Sequence, residues 1–532
     1  MIWVDREAKK IKERKSRLEW VDDMKTPSGR IHVGALRGVV IHDLVYRALL
    51  NEGIAAKNTY VFDDHDPMDA IPAYLEESKW RKYAGMQLFK VPSPQKGFKS
   101  FAEFYAQEFQ SVFESINCHP EIIWASYLYN SGKMNGVIKE VLDQADKVRE
   151  IFNRMFENKK GADWYPFQAV CKKCQKIGTT YVYKWDGENV YYRCEPQLVK
   201  WAKGCGYKGK VSPFDGNGKL NWRVDWPAKW KVIGITIEGA GKDHMSAGGS
   251  YDMAVAVCRE ILNYPPTYPL SYEWFTIGGK KMSSSKGIGT SAKEITEILP
   301  PEVLRFLIVR TPIQTALDFD PYGDTILNLF DDYDRCMNAY FDKLENKIPD
   351  GKPGEVLSDF ARITELSEVR PLPDKRLFLP RFRTIANLIK TKADLLNHFE
   401  TQKGKSLTAD EKEILEEREV FAQKYLSEYA ESSEETAQQP IKVSLNNQQK
   451  KFLAELADAI SKQEKSDRDT IQDIIFDVLK KGKYKAGDVF PAFYKVITGQ
   501  ESGPKAADLI LSLGVAKAVK QLKVYLNSPS GR

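Results

Sequence analysis

Two runs of residues, far apart in the chain, have the makings of one triphosphate site. The first is Thr26-Pro27-Ser28-Gly29-Arg30-Ile31-His32-Val33-Gly34; the second is Gly279-Lys280-Lys281-Met282-Ser283-Ser284-Ser285-Lys286-Gly287. An imidazole such as His32 beside the start of a helix can donate to phosphate oxygens, helped by the helix dipole and its free N–H groups. Gly34 lets a nucleotide approach the helix start, where a side chain would block it. Gly29 does the same for a second ligand one turn earlier. Lys280 and Lys281 can neutralise a triphosphate, and the hydroxyls of Ser283, Ser284 and Ser285 can meet its oxygens. Gly278, Gly279 and Gly287 allow the loop to close and reopen. These groups suit a reaction in which charge develops on departing pyrophosphate, with His32 and Lys281 as the catalytic residues. Taken alone, the first run also reads as a plain strand-to-helix turn, and the second as a lysine- and serine-rich surface loop.

A third cluster is Glu238-Gly239-Ala240-Gly241-Lys242-Asp243-His244, followed by Gly248-Gly249-Ser250. Asp243 and His244 can bind ribose hydroxyls or an amino group, while Gly241 and Gly248 let adenosine pass close by. A turn-and-cap reading of the same residues stays open. Cys171 and Cys174 form a Cys-x-x-Cys knuckle, and Cys194 and Cys205 follow. Four thiolates in two groups suit one tetrahedral structural zinc, although the second pair is more widely spaced than usual. Cys118, Cys258 and Cys336 are isolated and read as core.

The elements that must position these residues are visible in the pattern. Leu18 to Val21 reads as a short strand. Leu36, Val40, Leu44 and Ala48 recur at helical spacing until Gly53 stops them, and Tyr60-Val61-Phe62 is a second strand. The first run therefore sits at the strand-to-helix turn of a βαβ unit, where doubly wound sheets bind ligands. Residues 85 to 165 read mostly as helix with an aromatic stripe. β-like runs return at Val232 to Ile237 and Phe275 to Ile277, and Ser291-Ala292-Lys293-Glu294 is a capping box. The remainder is helical in pattern, with polar or Pro-rich breaks at 348 to 356 and 431 to 440. At 532 residues, with 42% hydrophobic and 29% charged content, the chain has material for several domains. Its net charge of +6 suits a nucleic-acid partner. No secretory leader and no apolar run of membrane-spanning length is visible, so a cytoplasmic protein without membrane attachment is expected.

With these residues assembled, the chain resembles the class I lysyl-tRNA synthetases. Thr26-Pro27-Ser28-Gly29 before His32, Asp63-Asp64-His65-Asp66-Pro67 and Trp222-Arg223-Val224-Asp225-Trp226-Pro227-Ala228 carry the likeness. Gly241-Lys242-Asp243-His244, Tyr272 and a Ser-Ser-Ser ending to the second run add to it. The resemblance implies an α/β fold: a Rossmann-type doubly wound parallel sheet with an inserted zinc-binding region, followed by an all-α anticodon-binding domain. The segments expected are 1–84 and 213–290 for the two halves of the catalytic domain. An insertion would occupy 85–212, a helical linker 291–345 and the anticodon domain 346–532.

The resemblance further implies ATP with Mg²⁺, L-lysine and lysine tRNA as ligands, with no obligate protein partner. His32, Gly34, Gly241, Asp243, Gly248, Lys281, Ser283 and Ser284 would bind ATP. Gly29, Trp222, His244 and Tyr272 would line the lysine pocket, with Asp64, Asp66 or Asp243 facing the ammonium. The chain departs from the family pattern at Val91 to Ser100. Ser93, Gly97, Phe98 and Phe104 stand where a second metal cluster would be, so one structural zinc is expected, not two. A glutamate-specific synthetase of the same class is the alternative, with Arg30 or Arg223 facing the substrate. A smaller adenylyltransferase would not need the helical tail, and a non-catalytic RNA-binding relative would not need His32, Lys281 and the serines.

Overall fold

The computed structural model describes residues 1–277, 291–430, 445–463, 468–498, 506–513 and 515–524. The chain divides into two compact units, Met1–Ala430 and Glu431–Arg532.

In the first unit, the strand Glu19–Lys25 lies at the centre of a five-stranded parallel sheet. Ala56–Phe62 and then Glu121–Trp124 extend the sheet on one side. Ile237–Gly241 and then Tyr268–Tyr272 extend it on the other. The chain thus leaves Glu19–Lys25 toward one edge and later returns to its opposite flank. That reversal opens a crevice beyond the carboxyl ends of the strands.

The helix Gly34–Asn51 buries Leu36, Val40, Leu44 and Ala48, as the periodicity predicts, against Val21, Tyr60 and Ile237 of the sheet. It ends where Gly53 adopts φ +75°; Ile54 N–H donates to Leu49 O at 2.9 Å. A left-handed residue there lets the chain turn back without a Cβ clash.

Several expectations are corrected. Glu121–Trp124, inside the segment expected to be an insertion, is an edge strand of the central sheet. Val232 and Ile233 close the helix Trp222–Ile233, and the strand begins only at Ile237. Gly234, at φ +95°, separates the two elements. Phe275–Ile277 is a strand but pairs in parallel with Leu317–Phe319, apart from the main sheet. Residues 352 to 356, expected to be linker, open the helix Lys352–Leu366, with Pro353 in its first turn. A proline costs least there. The break at 431 to 440 lies outside the described residues.

The cysteine region is a three-stranded antiparallel sheet, Thr180–Trp185, Val190–Cys194 and Lys208–Val211. Phe167–Ala169 pairs beside it with Gly218–Leu220. Helices Thr325–Leu344, Lys352–Leu366, Phe382–Thr391, Leu395–Lys403 and Ala409–Glu428 complete the first unit. The second unit is helical and has its own core of Phe452, Leu456, Ile475, Phe493 and Ile510. No helix among the described residues is long and apolar enough to cross a membrane.

Candidate active site

A cavity of about 760 Å³ opens at the switch point of the sheet. Thr26, Ser28, His32 and Gly34 of the first run line it. Gly241, Asp243 and His244 line it from the neighbouring strand end, with Trp222 and Tyr272 beside them. Gly34 is the first residue of its helix, whose N-terminus no side chain caps. A Cβ on Gly34 would stand 2.8 Å from His32 Nδ1 and 3.1 Å from Phe275 O, so no larger residue fits without movement.

Both flanks of the second run meet the first. Phe275–Ile277 leads into it, and Phe275 O lies against Gly34. On the far side, Ser291 forms an antiparallel bridge with His32, and Ala292 N–H donates to Ile31 O at 2.9 Å. The capping box is present: Ser291 Oγ accepts from Glu294 N–H, and Ser291 N–H donates to Glu294 Oε2 at 2.7 Å. Lys281, Ser283 and Ser284 themselves lie outside the described residues. Burial and the nearby Lys25 push the His32 imidazole down to about 3, so it enters as a neutral N–H donor.

Trp222, Trp226 and His244 cluster edge to face, with ring centroids 5.9 Å and 6.2 Å from His244. Tyr272 closes the opposite wall; its hydroxyl and Asp23 Oδ2 would each lie 2.7 Å from a Cβ on Gly38. Asp23 and Glu238 present carboxylates to this part of the cavity. Glu238 accepts from the indole N–H groups of Trp226 and Trp230. Burial raises both acids, Glu238 well above the usual range with help from Asp22; His42 pulls Asp23 back in part.

Asp64, expected to face the lysine ammonium, is absent from the cavity wall. Its carboxylate accepts from Ser126, the backbone N–H at 2.7 Å, and burial lifts it to about 6. Gly248, with φ +74°, is exposed outside the cavity, its N–H donating to Asp252. Gly29 is buried in the turn behind Ser28. Asp66 does line the cavity and accepts from Thr26 Oγ1 at 2.7 Å. It is already paired with Lys219.

Sequence reasoning missed the residues that hold these walls. Lys229 bridges Asp225, at 2.7 Å, and Asp63; Lys219 bridges Asp225, at 3.1 Å, and Asp66. Against the burial that would raise it, the two ammonium groups hold Asp225 well below the usual range. Breaking such a buried pair by removing one partner costs about 3–5 kcal/mol. His42 accepts from Gly239 N–H at 2.8 Å through Nε2, which leaves Nδ1 to donate to Gly38 O at 2.7 Å. Arg37 is 1% exposed and donates to the carbonyls of Trp274, Pro312 and Thr315 at 2.9, 3.0 and 2.7 Å. It ties the first-run helix to the strand that leads into the second run.

Cys171, Cys174, Cys194 and Cys205 converge, with all four sulfurs within 4.8 Å of one another. Two Sγ–Sγ distances are 3.6 Å. Tetrahedral zinc with Zn–S bonds of about 2.3 Å needs sulfurs about 3.8 Å apart, so the donor set fits. In the segment expected to have lost a second cluster, Phe98 and Phe104 pack edge to face with centroids 5.0 Å apart.

A family profile described as tRNA synthetases class I (K) matches residues 1–359, and one described as anticodon binding domain matches residues 379–526. A Picrophilus torridus relative is 32% identical over 94% of this chain and 95% of its own length. One from Archaeoglobus fulgidus is 33% identical, covering 94% of this chain and 95% of that protein. One from Methanocaldococcus jannaschii is 32% identical over 99% of this chain and 100% of its own. All three relatives carry the name lysine–tRNA ligase. The chain belongs to the class I tRNA synthetases (K), with a helical anticodon-binding domain on its C-terminal side.

Proposed function

We propose that the chain is a lysine–tRNA ligase. A carboxylate oxygen of L-lysine attacks the α-phosphorus of ATP, the bond to the β-phosphate breaks, and pyrophosphate leaves. The 2′-OH of the terminal adenosine of lysine tRNA then attacks the lysyl carbonyl and AMP departs. Mg²⁺ arrives with ATP and screens its phosphates. Positioning and charge stabilisation supply most of the barrier reduction, without a general base.

The carrying observation is the charge of the cavity wall. Asp23 and Glu238 stand beside Tyr272; among the described residues no arginine lines the cavity, and its two lysines are placed elsewhere, Lys219 with Asp66 and Asp225 and Lys25 near His32. Carboxylates and aromatic walls suit an ammonium on a methylene stem. A glutamate side chain would need a cation there. Arg30 instead lies over the Tyr74 ring at 5.3 Å, and Arg223, itself not among the lining residues, lies over the Phe156 and Trp222 rings at 4.4 and 4.8 Å. In this reading Asp23 takes the ammonium role expected of Asp64, and Trp222, His244 and Tyr272 wall the substrate. His32, Gly34, Gly241 and Asp243 take ATP, with Lys281, Ser283 and Ser284 closing on its phosphates. Cys171, Cys174, Cys194 and Cys205 hold one structural zinc, and the enzyme works in the cytoplasm.

Amino-acid-dependent ATP–pyrophosphate exchange, run with all twenty amino acids with and without tRNA, tests this. Lysine alone is expected to support exchange and charging. Preference for glutamate would favour the alternative, and no turnover with any amino acid would overturn both.

A further inference from the structure

The strand Glu19–Lys25 shows alternate residues to its two sides. Trp20 and Met24 pack with Trp226 and Trp230. Val21 lies under the helix Gly34–Asn51, in the core it shares with Leu36 and Val40. Asp23 stands on the same side, its Oδ2 2.7 Å from where a Cβ on Gly38 would lie. The period of two puts Lys25, the last residue of the strand, on that side as well. From Asp23 to Lys25 the strand advances about 6.6 Å, and from Gly38 back to Gly34 the helix covers about 6 Å. Lys25 therefore stands level with the uncapped helix N-terminus and with His32, and it lines the cavity there. Its backbone is tied to the next strand, since Asp63 N–H donates to Lys25 O at 3.0 Å.

The other lysine of the cavity wall, Lys219, is paired with Asp66 and Asp225. The Lys25 ammonium makes no hydrogen bond or ion pair among the described residues. Asp63 and Asp66, which line this end of the cavity, are held by Lys229 and Lys219. Burial pulls Lys25 below the ordinary 10.5, and Asp23 restores part of the loss. A lysine cation beside a neutral imidazole N–H and the free N–H groups of a helix start has the surroundings of an anion site. Kept partly from water, it acts on developing negative charge far more strongly than a solvated one. With Asp23 on the side-chain ammonium of the substrate, an extended lysine laid along the strand brings its carboxylate to the level of Lys25.

We propose that Lys25 is a catalytic residue of adenylation, donating from its ammonium to a non-bridging oxygen of the ATP α-phosphate. The carboxylate oxygen of lysine bonds to the α-phosphorus, the bond to the bridging oxygen breaks, and pyrophosphate carries that electron pair away. Lys25 keeps its protons and forms no covalent bond; it stabilises the charge that gathers on the α-phosphate oxygens. The inference rests on the ligase reading, whose failure shows separately, as wild-type protein that activates no lysine.

Single-turnover adenylation is measured for the full-length wild type, Lys25→Met and Lys25→Arg, with ATP and with each diastereomer of its α-phosphorothioate. Calorimetric lysine binding and thermal unfolding accompany it. Lys25→Met should slow adenylation with ATP roughly a hundredfold to a thousandfold, the scale for losing one donor to developing charge. Lys25→Arg should recover part of the rate, and lysine affinity should hold. Sulfur accepts a hydrogen bond poorly. In wild type the diastereomer whose sulfur faces Lys25 should therefore react more slowly than the other, and Lys25→Met should shrink that difference. Near-normal adenylation in Lys25→Met, or a loss that leaves the ratio between diastereomers unchanged, would overturn the proposal. So would tighter lysine binding at a normal rate, which would make Lys25 only a counter-charge for Asp23. If Lys25→Met fails to fold, Lys25→Arg decides, because moving the charge should still change the ratio.

Discussion

Burial and Lys25 leave His32 neutral, so it meets ATP as a donor that needs no proton rearrangement. His32→Ala should slow single-turnover adenylation by the equivalent of roughly 2–4 kcal/mol while lysine affinity holds. Near-normal adenylation would remove His32 from the reaction. Asp23 sets a different expectation. If it faces the substrate ammonium, Asp23→Asn should weaken lysine binding by about 2–5 kcal/mol with ATP binding intact, as calorimetry would read. The pH sign follows from burial, which raises Asp23 above its ordinary 3.8. Only the ionised carboxylate attracts the ammonium, so lysine affinity should fall as pH drops toward that raised value. The Asn variant should lose this limb, and a variant that kept it would point to another acid. The first run was legible in the sequence because its residues are contiguous. Asp23 was not, since an Asp22-Asp23 pair ahead of a turn looks like ordinary surface. Lys219 and Lys229 were also hidden, because Asp66 and Asp63 lie far from them in sequence.

At the scale of elements, the clamp from Arg37 joins the helix Gly34–Asn51 to the segments around Trp274 and Pro312. Arg37→Met removes the guanidinium from all three carbonyls; Trp274 O and Pro312 O keep the N–H groups of Leu317 and Thr315, so Thr315 O is the acceptor left short. A cost of roughly 1–3 kcal/mol for an unpaired buried acceptor sets the expected loss of stability. Adenylation should fall beyond that loss, because the strand leading into the second run is no longer fixed to the first. Thermal unfolding with single-turnover kinetics would read both, and unchanged kinetics would make Arg37 purely structural. For the cysteine sheet, metal analysis should find one zinc per chain, lost in Cys171→Ser/Cys174→Ser; a zinc that survives both substitutions would place the site elsewhere. Elements were legible where their period ran long, as in the helix whose Leu36, Val40, Leu44 and Ala48 are all buried. Glu121–Trp124 escaped because its three consecutive apolar residues, Ile122, Ile123 and Trp124, set no period. Val232 to Ile237 misled because its apolar residues span a helix end, a left-handed glycine and a strand start.

The molecule as a whole divides later than the helical pattern implied. An anticodon domain beginning near 346 would cut through packed contacts of the first unit. Phe330 stacks on Phe382 at 3.8 Å, Arg418 donates to Asp334 at 2.9 Å, and Arg305 donates to Leu366 O at 2.8 Å. A chain ending near 345 should therefore expose the core around Phe330 and aggregate. A chain ending at Ala430 keeps the first unit intact. The anticodon-domain match nonetheless spans 379–526, so this cut removes much of it. Within the second unit, Phe493 is buried and Phe490 and Tyr494 pack against the core, so these aromatics serve the core. Phe476, 59% exposed on the helix Arg468–Lys481 beside Lys480 and Lys481, is the better-placed aromatic for an unpaired base. The chain ending at Ala430 should then bind lysine and ATP as the full chain does, yet lose discrimination between lysine tRNA and the same tRNA with altered anticodon bases. Stacking worth roughly 1–3 kcal/mol per base sets the scale of that loss. Charging kinetics on the two tRNAs would measure it. Unchanged preference in the shortened chain would put anticodon reading on the helices before Ala430 instead.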